Sequence, residues 1–103
     1  MQNLRLSENE IDAIKVIFTQ YFLKSDKLWL FGSRVDLNAK GGDIDLYAES
    51  DYHSAKEVLD AKYEFLADLQ MKIGEQKIDL VIKFNDYDLP IYHVARKTGV
   101  RLV

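Results

Sequence analysis

The chain has 103 residues, 48% of them hydrophobic and 30% charged, a balance that fits one folded domain spanning 1–103 and argues against disorder. Seventeen acidic residues against fourteen basic ones leave a net charge of −3, the wrong sign for a protein that binds nucleic acid mainly by neutralising phosphates. No cysteine is present, which excludes disulfides, thiolate metal ligands and cysteine nucleophiles, and no apolar run approaches the length of a membrane span.

The segment Met1 to Glu10 lacks the basic and apolar regions of a secretory signal, so a cytoplasmic setting is expected. Ser7 and Glu10 have capping-box spacing, and Ile11, Ile14, Ile17, Phe18, Tyr21 and Phe22 then recur at helical spacing. This predicts an opening helix with one apolar stripe, broken at Ser25 and Asp26. Lys27 to Phe31 reads as a short strand covered on both faces. Gly32-Ser33-Arg34 and a polar stretch ending in Gly41-Gly42 follow. Asp43 to Glu49 alternates, with Ile44, Leu46 and Ala48 on one face and Asp43, Asp45 and Tyr47 on the other.

Ser54 and Glu57 start a second helix through Val58, Leu59, Phe65, Leu66, Leu69 and Ile73 that stops near Gly74. Lys77 to Phe84 is a third strand, with Ile78, Leu80 and Ile82 facing one way. Pro90 opens a last helix through Ile91, Val94 and Ala95 that ends near Gly99, and Val100 to Val103 suits a short edge strand. The expected fold is α+β, a small mixed β-sheet with helices packed on one face.

Asp43 and Asp45 project together from one side of their strand, and two carboxylates so close repel unless a cation or a cluster of donors compensates them. Magnesium suits such a pair, because it prefers a few carboxylate oxygens together with substrate phosphates and water. Asp79 is a third acid that interrupts an apolar strand. If the two strands are neighbours, the three carboxylates converge, enough for two magnesium ions about 3.5–4 Å apart and an in-line displacement at phosphorus. Gly32 lets phosphate oxygens approach the backbone, Ser33 offers an amide and a hydroxyl, and Arg34 adds a cation for the polyphosphate. Neither a Walker A loop nor a dinucleotide fingerprint is present.

Gly32-Ser33, then Asp43-Ile44-Asp45, then Asp79 on a later strand resembles the DNA polymerase β-type nucleotidyltransferase superfamily. The length and layout are most similar to its minimal nucleotidyltransferases, usually paired with a HEPN-domain partner in toxin–antitoxin modules. The resemblance implies a palm-like nucleotidyltransferase fold. It implies that Gly32 and Ser33 hold the triphosphate of ATP and that Asp43, Asp45 and Asp79 bind the metal ions, Asp79 also orienting or deprotonating the attacking hydroxyl. The implied activity is magnesium-dependent transfer of AMP to a hydroxyl, a tyrosine of a HEPN toxin, which would make the chain the antitoxin of a type VII-like pair. Homo- or hetero-oligomers fit this picture; a membrane or direct nucleic-acid contact does not. Two other readings compete: an antitoxin that acts by occlusion alone, and a small-molecule enzyme like the aminoglycoside nucleotidyltransferases, which generally carry a further helical domain.

Other residues have plainer readings. Lys40 is expected to be solvated, and His53 and His93 to be structural or exposed. Tyr21 and Tyr63 are core candidates. Tyr47 shares the aspartates' face and is a candidate to line the nucleotide pocket. Asp86 and Asp88 are expected to form a turn or a helix cap.

Overall fold

A computed structural model describes residues 5–35 and 42–103; Lys40 and Gly41 lie outside the described residues. The elements run α1 (Glu8–Tyr21), β1 (Lys27–Phe31), a 3₁₀ turn (Gly32–Val35), β2 (Ile44–Glu49), α2 (Ala55–Ile73), β3 (Ile78–Lys83), α3 (Pro90–Thr98) and β4 (Val100–Arg101). The fold is α+β: the four strands form one mixed sheet in the order β3-β2-β1-β4, with β2 and β3 parallel and β1 antiparallel to both β2 and β4.

α1 and α2 start where a serine side chain satisfies a free amide. The Ser7 hydroxyl accepts from the Glu10 amide at 3.1 Å, while the Glu10 carboxylate accepts from the Ser7 amide at 3.0 Å, a reciprocal box. Ser54 accepts from the Glu57 amide at 3.2 Å. α3 has no side-chain cap: Leu89 stands at its N-cap, and Pro90 at the first turn supplies the fixed φ that a helix needs there. Asp86 and Asp88 therefore do not cap it. The preceding turn is closed by Asn85, whose Oδ1 accepts from the Tyr87 amide at 3.0 Å, and Asp88 pairs with exposed His93 at 2.6 Å.

Strand alternation divides the core in two. Leu28, Leu30, Ile44, Leu46, Ala48, Ile78 and Leu80 face α1 and α2, which contribute Ile14, Phe18, Phe65 and Leu69. Phe18 stacks on Phe22, and both meet Phe65 edge-on. Trp29, Phe31 and Tyr47 point the other way and are covered by Tyr92 and Ala95 of α3. The expected arrangement, helices on one face, holds for α1 and α2; α3 lies on the opposite face. Its physical cause is the second apolar set on β1, which one layer of helices cannot bury. Tyr63 lies exposed on α2 rather than in the core, while Tyr21 is half-buried and donates its hydroxyl to Asp68. Among the described residues, no helix is long and apolar enough to cross a membrane.

Buried Asp26 ties the loop before β1 to the segment after β2. It accepts from the Ser50 hydroxyl at 2.7 Å and from the amides of Leu23 at 2.9 Å and Asp51 at 2.8 Å, so its charge is fully partnered.

Candidate active site

The register of the sheet brings the predicted acids together. In the parallel β2–β3 pair, Asp45 stands opposite Asp79, and in the antiparallel β1–β2 pair it stands opposite Phe31, the residue before Gly32. Register partners on adjacent strands sit about 4.8 Å apart with side chains on one face. Asp45 and Asp79 therefore project from the face that also carries Phe31 and Tyr47, and Asp43 lies just before β2 at the same end.

The Gly32-Ser33 turn closes over this row. Gly32 has φ +76°, a conformation that side chains rarely tolerate, and a Cβ there would collide with Oδ2 of Asp45. The backbone of the turn thus rests against the carboxylate, a close approach that only glycine permits. Ser33 reaches the other side of the loop: its hydroxyl lies 3.5 Å from the Asp43 carbonyl, and a Cβ on Gly42 would strike it. Gly32, Ser33, Gly42, Asp43, Asp45 and Asp79 consequently form one cluster at one end of the sheet.

Electrostatics bear out the crowding. The Asp45 carboxyl is raised above the ordinary carboxylate range, first by burial and then by the charges of Asp79 and Asp43, with Lys77 acting in the opposite sense. Lys77 also meets Asp43 at 3.5 Å, largely in solvent. The sequence reading passes over Lys77; its position two residues before Asp79 in a strand, on the same side, is the signal that was there to find. Among the described residues, Lys77 is the cation that these contacts set against the three carboxylates.

Arg34 sits differently from the expectation that it contacts a polyphosphate. Its guanidinium donates to the Arg5 carbonyl at 2.8 Å and the Gly42 carbonyl at 3.2 Å, while Arg5 donates to the Ser33 carbonyl at 2.8 Å. In this arrangement Arg34 braces the turn and the chain on both sides of it. Tyr47 is also unavailable to a nucleotide. It is 1% exposed, packed between Trp29 and Tyr92, and donates to Glu49 at 2.8 Å; burial and that acceptor push its phenol far up.

The donor chemistry suits a hard divalent cation, since Asp43, Asp45 and Asp79 offer carboxylate oxygens and Gly32 leaves a side-chain-free approach for a second, phosphate ligand. Among the described residues, no group of three or more His, Cys, Asp or Glu closes on a common point able to hold a metal ion. The carboxylates are neighbours in a row rather than a finished coordination shell. No protein family matches the chain, and no curated protein is significantly similar to it.

Proposed function

We propose that the chain is a magnesium-dependent nucleotidyltransferase that moves AMP from ATP onto a hydroxyl and releases pyrophosphate. The observation that carries the reading is the pairing of Asp45 with Asp79 beneath a glycine turn whose backbone rests on the Asp45 carboxylate. Three acids and a phosphate-accessible turn at one sheet end suit in-line displacement at phosphorus.

The residues divide the work. Gly32 admits the triphosphate to the backbone, and Ser33 adds its hydroxyl on the side next to Asp43. Asp43, Asp45 and Asp79 would hold magnesium, which when bound neutralises charge on the phosphates and lowers the pKa of the acceptor. Asp79, exposed at the outer strand, orients the acceptor hydroxyl and takes its proton while the acceptor oxygen bonds to the α-phosphorus and the bond to pyrophosphate breaks. Arg34 keeps the turn in place through Arg5 and Gly42.

In the resembled family the acceptor is a HEPN-domain toxin, and we extend that role here: the chain acts as an intracellular antitoxin that modifies its partner. The test is incubation with α-labelled ATP, magnesium and the product of the adjacent reading frame. Label should move to that protein with the native chain and stay in ATP with Asp45→Asn. Neutralisation of the partner by Asp43→Asn and Asp45→Asn proteins as effective as by the native chain would replace transfer by occlusion.

A further inference from the structure

Lys77 has a fixed base and a free arm. The segment before β3 is held on two sides: the Gln76 amide donates to the Gln70 side chain at 2.8 Å, and the Gln76 side chain donates to Glu10 at 2.9 Å. The Lys77 carbonyl then accepts from the Ile44 amide at 3.0 Å, which joins it to the first residue of β2. Its backbone therefore extends the β2–β3 pairing beside the acid row, with the strand parity of Asp79. The ammonium, by contrast, is mostly in water. The Lys77 side chain is 73% exposed where it meets Asp43 at 3.5 Å, and that of Asp43 is 40% exposed. An ion pair so open to solvent is weak and readily exchanged. The Ser33 hydroxyl approaches the carbonyl of the same Asp43 at 3.5 Å, so the stem that reaches Asp43 ends beside the Gly32-Ser33 turn.

We propose that Lys77 is an exchangeable counter-ion: its ammonium balances the acid row in the metal-free chain and moves to the triphosphate oxygens once magnesium and ATP enter. The proposal rests on the nucleotidyltransferase reading above and adds a regulation of the same site. Charge dictates the exchange. A divalent cation on Asp43 and Asp45 repels an ammonium a few ångströms away, whereas the triphosphate that comes with it attracts that ammonium. Lysine suits the task, because its charge is compact and its four-carbon stem flexible, so one oxygen can replace another without a fixed geometry being lost. Two plainer roles differ from this one in sign. An exchangeable counter-ion competes with magnesium and assists the nucleotide. A surface ion pair affects neither ligand, and a brace for the strand would weaken both when removed.

The test is isothermal titration calorimetry of the full chain, with magnesium chloride alone and then, at saturating magnesium, with α,β-methylene-ATP, whose α–β bridge cannot be cleaved. Lys77→Met keeps the stem and removes the charge. It should bind magnesium alone about two- to fivefold more tightly than the native chain, and the methylene-ATP about tenfold or more weakly. Lys77→Arg keeps the charge and should stay within about threefold of native for both ligands. Lys56→Met removes the same charge from the exposed start of α2, and it should change neither affinity by more than about twofold. Lys77→Gln repeats the opposed shifts and keeps the test decisive if methionine disturbs the strand. Unchanged or weaker magnesium binding by the uncharged variants, or unchanged nucleotide binding, overturns the proposal. If the native chain binds both ligands and Lys77→Met matches it, only the exchange falls. A native chain that binds neither removes the nucleotidyltransferase reading and the exchange with it.

Discussion

The two ends of the sheet treat acidic side chains in opposite ways. At the end where β2 finishes, Glu49 accepts from Tyr47 at 2.8 Å and meets Arg96 at 3.6 Å, and Lys27 and Lys83 line the same cleft of about 540 Å³. At the end where β2 begins, largely exposed Lys77 meets Asp43 and acts on Asp45, while burial and the charges of Asp79 and Asp43 hold the Asp45 carboxyl above its ordinary range. The first end is internally balanced. The second carries the crowded carboxylates, which is why we place the proposed function there and not in the cleft at the other end.

That contrast can be broken by substitution. The largest effect is expected for Asp45→Asn or Asp79→Asn, each lowering AMP transfer by at least about a hundredfold, since a metal-site carboxylate contributes several kcal/mol to charge stabilisation. Glu49→Gln at the balanced end should leave transfer within about twofold. Transfer assays on the three variants side by side check this, and equal losses at both ends would erase the distinction.

Glycine substitutions sharpen the same point. Gly74→Ala, at φ +90° with open space around it, should cost only backbone strain of about 1–3 kcal/mol. Gly32→Ala carries similar strain and also drives a methyl into the Asp45 carboxylate, so it should cost more and abolish transfer as well. Urea unfolding and activity of the pair give the comparison.

The acid cluster should also leave a signature in stability against pH. Folding raises the Asp45 pKa, so the folded state keeps that proton to higher pH than the unfolded chain. Stability from this group is therefore lost as pH rises from the ordinary carboxylate value through the raised one. Asp45→Asn lacks that loss and should gain on the native protein between about pH 3 and pH 7, and magnesium should narrow the gap. Urea midpoints across that range measure it. The smallest effect belongs to Arg96→Met, where a half-screened pair is removed: about 1 kcal/mol or less in unfolding, and no change in magnesium response.

Much of this was legible in the residues because the signals were local. Capping boxes at Ser7 and Ser54, uninterrupted alternation in β2 and β3, and glycine at Gly32 each report on a few neighbouring positions, and the strand and helix limits agree with the structure to within a residue or two. The adjacency of Asp45 and Asp79 followed only if β2 and β3 paired, which is a matter of topology. The bracing contacts of Arg34 were hidden for a different reason. Its partners are backbone carbonyls of Arg5 and Gly42, and no side-chain pattern announces them. Tyr47 has the parity of the aspartates, but whether it meets solvent depends on which face α3 takes, and that was decided by Trp29 and Phe31.

The most direct measurement is thermal unfolding of the native chain and of Asp45→Asn and Asp79→Asn, with magnesium and ATP together at about a hundred times the apparent Kd of the native protein. Binding should add about 2.7 kcal/mol to the native chain and raise its Tm by roughly 10 °C or more, with little or no rise in either variant. An equal rise in all three, or none in the native chain, would contradict the carboxylate cluster as a site for a metal–nucleotide complex.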